Sequence, residues 1–374
     1  MPEKPDSCFR STPDKILEQT VRLLVEIEKG VPLPDLTHGG ADSAILHHTL
    51  LTLMRHWASL NWFIDQYATG RVRPQLRRVL CWGACHVLHM HGLAAAAATD
   101  TCVRYVKRRY NRRQAGFVNA VLRAIVRARD AGEYEKRLSS QAPPEVRLDL
   151  GKALYRKWAQ HLPESEIAEL ALVLQEPAPV TARLRGDSPA PETADIVEPV
   201  PAPDWAPDAR LYRVKEPAAF FDSQPFRRGD FYVQDPSTLL APVLLQARDG
   251  ECVGDFCCAP GGKAVLLAEQ LTGSGFLCCL DRSLQRLQRV RSNLANCAAC
   301  RLVAGDGAMP PFAAASFDAL MLDVPCTNTG VVRRRPDVRW SFSRQKLTEL
   351  LALQQHILEG VLPVLKPGGR FVVN

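Results

Sequence analysis

The sequence predicts an all-helical bundle followed by an α/β domain built on a parallel sheet. Three observations carry this reading. Apolar residues recur at helical spacing from about residue 12 to 138, with almost no strand-like alternation. Six prolines between Pro189 and Pro207 mark a break in regular structure. From about residue 229 onward, strand-like and helix-like segments alternate, as they do where a parallel sheet is covered on both faces.

The first helix is announced by Thr12 as N-cap, Pro13 at the first helical position and Asp14 in the first turn, with Ile16, Val21, Leu24 and Ile27 on one face until Gly30. Further helices are predicted from Ala44 to Trp62, Arg73 to His89, Ala98 to Tyr110 and Gly116 to Arg129. Two amphipathic helices follow Pro143, and Pro179 to Gly186 reads as a strand before the proline-rich stretch, which is expected to be an exposed loop. The α/β part is predicted as strand Glu251 to Phe256, helix Lys263 to Leu271, strand Gly275 to Leu280, helix Leu284 to Ala295, strand Arg301 to Ala304, strand Phe317 to Leu322, helix Lys346 to Leu365 and strand Arg370 to Val373.

Composition narrows the class. The chain has 374 residues, 46% hydrophobic and 23% charged, the make-up of a folded protein of two or three domains. No apolar run nears the roughly 18 residues of a membrane span, and Met1 to Arg10 holds Glu3, Pro5 and Asp6 where a signal peptide is apolar, so the expected location is the cytoplasm. The net charge of +7 hints at a polyanionic partner. Twelve cysteines scattered through apolar segments read as reduced thiols. Neither the Cys297 to Cys300 pair nor the Cys85, His86, His89, His91 cluster has the setting of a metal site, and no metal is expected.

The chemistry sits at strand ends. The strand that closes on Asp255-Phe256 runs into Cys257-Cys258-Ala259-Pro260-Gly261-Gly262-Lys263, where two glycines let a nucleotide-like ligand approach the backbone at a helix N-terminus. A phosphate-binding P-loop would need glycine at Cys257 and a hydroxyl at Ala264, and the dinucleotide fingerprint is also absent. Asp281, Asp306 and Asp323 end three consecutive strands, which in a doubly wound sheet face one crevice. Asp281 alone fits two readings, a ribose ligand or a helix cap.

At these residues a resemblance becomes specific. The run DFCCAPGGK resembles the cofactor motif of the 5-methylcytosine RNA methyltransferases, and LDVPCTNTGVVRRRPDVRW resembles their Asp-x-Pro-Cys motif with its basic continuation. Tyr232 to Ser237 is similar to the segment that enters that domain, and Gln114 to Arg123 resembles the last helices of the NusB-like domain fused to enzymes of the RsmB/Sun type. Gly254, Cys258 and Ala264 depart from the residue types usual there.

The resemblance implies a NusB-like helical RNA-binding domain over 12–138, a linker with a small α+β RNA-binding subdomain over 139–228, and a class I, Rossmann-like methyltransferase domain over 229–374. It implies that Cys257, Cys258, Ala259, Pro260, Gly261, Gly262, Lys263 and Asp281 hold S-adenosylmethionine, with Asp306 near the adenine and Asp323 beside the methionine part and the target base. Cys326 would assist breakdown of a covalent adduct. The attacking cysteine of the family stands in a Thr-Cys motif after the strand that here reads Gly369 to Val373. The chain ends at Asn374, so the main nucleophile and the last two of seven strands are expected to be missing from it. RNA, ribosomal RNA by resemblance, is the expected partner.

Cytosine carbon 5 is a poor nucleophile, so this chemistry adds a thiolate to carbon 6 first and needs an unstacked base in a basic cleft. Arg333, Arg334, Arg335 and Arg339, with Trp340, offer phosphate contacts and a stacking face, or else form a solvated loop. Arg104, Lys107, Arg108, Arg109, Arg112 and Arg113 form a second basic feature, which a solvated helix face would also explain. The rival expectation from another class is an RNA-binding homologue without catalysis. A nicotinamide-dependent dehydrogenase leaves Asp323-Val324-Pro325-Cys326 unexplained.

Overall fold

The computed structural model describes residues 13–34, 36, 40–185, 193, 195–271, 274–295 and 297–374. Thr12, the expected cap, lies outside them, as do Gly186, Pro189 and Pro191. The chain divides into two compact units, Met1–Ala178 with Thr327–Arg344, and Pro179–Cys326 with Gln345–Asn374.

The first unit is helical. Helix α1 (Pro13–Glu28) buries Ile16, Leu17, Val21 and Leu24, the face its spacing predicted. The single helix expected from Ala44 to Trp62 is instead two, α2 (Ala41–Arg55) and α3 (Trp57–Asp65), broken at His56. The break exposes the first amides of α3, and buried Asp149 takes one of them: Ser59 donates to it through its backbone N–H at 2.8 Å and its hydroxyl at 2.6 Å.

Helix α4 (Pro74–Leu88) is buried almost all round from Val79 to Val87, which makes it the centre of the bundle. A side chain at Gly83 would stand 2.7 Å from a Leu122 methyl, so glycine is what lets α4 approach α6 (Arg112–Asp130). Between them runs α5 (Ala95–Arg109), and the Asn111 side chain caps α6 by accepting from the Gln114 amide at 2.9 Å. Helices α7 (Glu133–Gln141), α8 (Pro144–Arg147), α9 (Lys152–Trp158) and α10 (Glu164–Gln175) complete this stretch. Leu50, Leu53, Leu60 and Phe63 are wholly buried here, each worth about 1.5–3 kcal/mol of burial.

The second unit opens with an antiparallel sheet of strand order β2-β3-β1-β4, made of β1 (Thr181–Leu184), β2 (Val197–Val200), β3 (Leu211–Val214) and β4 (Phe231–Val233). Strand β2 corrects the expectation of a loop across the prolines. Pro199 is tolerated because β2 lies at the sheet edge, where a missing N–H breaks no inner ladder. Helices α11 (Pro217–Asp222) and α12 (Gln224–Arg228) close this layer around Phe220 and Phe231.

Helix α13 (Leu240–Leu245) leads into a parallel sheet of order β7-β6-β5-β8-β9. Its elements are β5 (Cys252–Phe256), α14 (Gly262–Gln270), β6 (Phe276–Asp281), α15 (Leu284–Asn293), β7 (Cys300–Ala304) and β8 (Phe317–Leu322). The connection after Cys326 belongs to the helical unit and carries α16 (Val338–Ser341). Helix α17 (Arg344–Val361) then returns the chain to β9 (Leu365–Val373). Apolar clusters cover both faces, Val253, Cys279, Ala319 and Met321 on one, Phe256, Leu280, Leu320 and Leu322 on the other. Central β5 is where the strand order reverses, and ligands of such sheets bind at the carboxyl ends beside that reversal.

In the connection, Arg339 and Trp340 correct the expectation of an RNA-facing pair. Arg339 is 1% exposed, with its guanidinium donating to the carbonyls of Arg55 and Asp149 at 3.1 Å each and of Leu174 at 2.5 Å. Burial holds its pKa down to about 10. The Trp340 indole donates to the Met54 carbonyl at 2.8 Å. Four carbonyls and a helical core, not phosphates, are their partners.

Candidate functional site

Strand register puts the predicted acids on one edge. Phe256 pairs with Leu280 and with Leu322, and Asp281 pairs with Ala304, so the residues that follow each of these strands leave the sheet in one row. That row holds Cys257, Asp281, Asp306 and Asp323. Asp255, Lys263 and Asn374 join it, and sequence reasoning had assigned none of their side chains a role.

The turn after β5 is shaped by backbone demands. Cys257 has φ +59° and Gly261 φ +101°, and a side chain at Gly261 would meet the Val290 backbone at 3.2 Å. Cys258 and Ala259 are buried against the sheet, Ala259-Pro260 is a cis peptide, and the loop at Gly307 passes close to the Cys257 sulfur. Burial, then the charges of Asp281, Asp255 and Asp323, pushes the Cys257 thiol up to about 12, so it is a protonated wall rather than a nucleophile.

The entry segment supports the same turn. The Gln234 side chain donates to the Gly262 carbonyl at 3.4 Å, and Asn293 donates to the Tyr232 hydroxyl at 3.2 Å and to the Pro260 carbonyl at 2.9 Å. Tyr232 packs on Gly262, and burial raises its pKa, which keeps the phenol neutral. Asp235 caps the short 3-10 turn at Pro236 by accepting from the Ser237 amide at 2.9 Å.

Asp281 is buried and accepts from the Ala259 amide at 3.3 Å and the Ser283 amide at 2.9 Å. The cap of α15 is Ser283, which accepts from the Arg286 amide, so the helix-cap reading of Asp281 is set aside. Arg286 binds the Ala259 carbonyl and stands 3.6 Å from Asp281. Asp306 is exposed and accepts from the Ala308 amide at 3.0 Å.

Asp323 carries an ion pair with Lys263 at 2.7 Å and accepts from the Asn374 side chain at 2.7 Å. Pro325 and Cys326 follow it, held by a 2.8 Å hydrogen bond from Gln354 to the Pro325 carbonyl, and the Cys326 thiol is exposed. Asp255 is wholly buried, and neither of its carboxylate oxygens has a hydrogen-bond partner among the described residues. Burial, and after it the Asp323 charge, raises its pKa well above the usual carboxylate range. The DFCCAPGGK run begins with this aspartate, which was the only sequence signal for it.

A separate cavity of about 830 Å³, lined by Arg185, Tyr232, Glu269 and Asn293 among others, contains none of the predicted site residues. Among the described residues no group of three or more His, Cys, Asp or Glu is arranged to hold a metal ion. No helix of these residues is long and apolar enough to cross a membrane.

The predicted basic residues lie in the helical unit. Arg104 is committed to Asp14 and Asp100, whereas Arg108 and Arg109 at the end of α5 and Arg112 and Arg113 at the start of α6 are exposed. Arg335 pairs with Asp337 at 3.0 Å, Arg333 with Glu176 at 3.4 Å, and Arg334 is exposed.

Comparison with known proteins agrees with this architecture. The family described as 16S rRNA methyltransferase RsmB/F matches residues 242–374, and the NusB family matches residues 15–127. Ribosomal RNA small subunit methyltransferase B of Salmonella enteritidis PT4 is 30% identical over 95% of this chain and 84% of its own length. That of Erwinia tasmaniensis is 29% identical over the same shares. The crystal structure of PH0851 superposes with a TM-score of 0.73 at 20% identity, over 97% of this chain and 86% of that one. A methyltransferase homologue from Pyrococcus horikoshii, 25% identical, gives 0.50 over 60% and 73%. The chain therefore belongs to the ribosomal RNA small subunit methyltransferase B family, a NusB-like helical domain joined to a Rossmann-like methyltransferase.

Proposed function

We propose that this methyltransferase modifies carbon 5 of a cytosine in small-subunit ribosomal RNA. The observation that carries the reading is the row of Asp281, Asp306 and Asp323 at consecutive strand ends, with Pro325-Cys326 one residue beyond the last of them. The methyl donor is S-adenosylmethionine, and the residues present fit it. Gly261 and Gly262 leave the turn bare of side chains, Asp281 keeps lone pairs beyond its two amide bonds, and Asp255 is a buried acid without a partner among the described residues. The backbone from Cys257 to Lys263 holds the cofactor with Asp281 on its ribose and Asp306 near its adenine.

In the reaction, a thiolate adds to carbon 6 of the cytosine, forming a carbon–sulfur bond and making carbon 5 enamine-like. Bound S-adenosylmethionine supplies an electrophilic methyl group at that point. Asp323, fixed by Lys263 and Asn374, faces the base and keeps it in register with the turn. Loss of the carbon 5 proton to a base then breaks the carbon–sulfur bond and releases the thiolate. Cys326, on an exposed loop held by Gln354, assists this release and does not make the attack.

Arg108, Arg109, Arg112 and Arg113 bind RNA phosphates from the NusB-like domain (12–138), and Arg334 and Arg335 do so from the connection. The subdomain over 139–228 contributes further RNA contacts to the catalytic part over 229–374. A ribosomal RNA substrate puts the protein in the cytoplasm.

The test uses the chain continued through the family's Thr-Cys motif, which supplies the attacking cysteine: it is incubated with S-adenosylmethionine and small-subunit RNA, the methylated nucleoside is analysed and a denaturing gel is run. The reading expects 5-methylcytidine, and a protein–RNA adduct that accumulates with Cys326→Ala. Any other methylated nucleoside overturns the carbon 5 assignment. Loss of both adduct and methylation in Cys326→Ala makes Cys326 the nucleophile.

A further inference from the structure

Asp255 lies in the central strand with no solvent exposure and, among the described residues, no hydrogen bond to either oxygen. Buried polar atoms are nearly always paired, and those that are not cluster where a ligand or a catalytic step uses them. Charged groups face it from three elements: Asp323 after β8, Asp281 at the end of β6, and Lys263 on α14. Among the described residues the thiols of Cys257 and Cys279 also feel its charge. Lys263 is the one cation among the groups that act on Asp255, and its ammonium stands 2.7 Å from Asp323. Burial comes first and the charges of Asp323 and Asp281 next in opposing the ionisation of Asp255, with Lys263 already engaged by Asp323 and Arg286 lying beside Asp281.

We propose that Asp255 releases its proton when S-adenosylmethionine binds and takes it back once the methyl group has left, so that the site distinguishes the cationic donor from its neutral thioether product. The proposal deepens the cofactor reading and rests on it. The donor carries a sulfonium charge that S-adenosylhomocysteine lacks. A positive charge brought in beside Asp323 and Asp281 offsets their repulsion and part of the cost of a buried charge, and the carboxyl of Asp255 then ionises with its proton passing to solvent. Transfer of the methyl removes that charge, and Asp255 recovers a proton from solvent. Because ionised Asp255 stabilises only the cationic ligand, the product is held less tightly than the donor.

The geometry agrees with this role better than with a packing role. An apolar residue would fill the same volume without leaving two oxygens unpaired, and β5 is otherwise lined by Val253 and Phe256.

Titration calorimetry in phosphate and in Tris buffer at one pH counts the protons exchanged on binding. The native protein is expected to release about one more proton with S-adenosylmethionine than with S-adenosylhomocysteine, and Asp255→Asn is expected to abolish the difference. The ratio of the two affinities in the native protein should change about tenfold per pH unit in favour of the donor as pH rises through the Asp255 transition. That measurement needs no variant, so it decides the matter even if Asp255→Asn does not fold. Equal proton counts for the two ligands, a pH-independent ratio, or an undiminished difference in Asp255→Asn overturns the proposal. Absence of binding by either ligand overturns the cofactor reading itself and the proposal with it.

Discussion

Lys263 and Asp323 form an ion pair of 2.7 Å that ties the helix after the glycine turn to the strand end before Pro325-Cys326. Both side chains are mostly shielded, at 15% and 29% exposure, so the pair fixes the carboxylate more firmly than a surface bridge would. A carboxylate held from one side by Lys263 and from the other by Asn374 is preorganised for a ligand on its remaining face.

Asp323→Asn keeps the volume and removes the charge. Methyl transfer to RNA, followed by tritiated methyl incorporation, is expected to fall about 100-fold. The thermal midpoint should move little. Unchanged incorporation would remove Asp323 from the reaction.

Gly261→Ala puts a Cβ where φ is +101° and the Val290 backbone is 3.2 Å away. Strain of about 1–3 kcal/mol in the turn is expected to weaken S-adenosylmethionine binding about tenfold or more, measured by calorimetry. Gly116→Ala, in open space on α6, is the control that should change nothing in this measurement.

Elements whose causes are local were legible in the sequence, and elements with distant causes were not. The parallel strands and the glycine turn followed from runs such as Phe317 to Leu322 and from Gly261-Gly262. The break at His56 depends on Asp149, 90 residues from Ser59, and no window around His56 contains that partner. Strand β2 hides among prolines because its edge position is a property of the sheet. Arg339 looked like a surface cation, and only its three carbonyl partners make a buried guanidinium tolerable. Asp255 read as one more strand residue, since burial without a partner is visible only once the sheet is built.

Arg339→Ala should destabilise the helical unit by about 3 kcal/mol, because it orphans three buried carbonyls and leaves a cavity. Arg339→Lys restores the charge but cannot reach all three acceptors, so a smaller loss is expected. Urea unfolding followed by circular dichroism checks both. A surface role for Arg339 would leave the midpoint in place.

Arg108, Arg109, Arg112 and Arg113 stand exposed at the α5 to α6 turn. Changing all four to glutamate is expected to weaken RNA binding and to lower the slope of log affinity against log salt by about 3, since each phosphate left without a cationic partner keeps about 0.7–0.9 of a counterion. Filter binding between low and moderate salt gives that slope. An unaltered slope would move the RNA site elsewhere.

Asp255 also makes a prediction for the protein without ligand. Its folded pKa lies above the unfolded carboxylate value, because burial and Asp323 disfavour the charge. The unfolded chain therefore gives up this proton at about pH 4, while the folded chain keeps it to higher pH. Over the interval between, the folded state binds more protons than the unfolded one, and stability falls as pH rises. Asp255→Asn removes the titration and with it the loss. The variant should be more stable than the native protein at pH 7, because it carries no buried acid that the fold holds protonated. The gain should fade as pH is lowered toward 4, where both states of the native chain are protonated. Calorimetric melts of the two proteins from pH 4 to 8 give the difference directly. A gain of the same size at every pH would mean that Asn packs better and that Asp255 is already ionised in the fold.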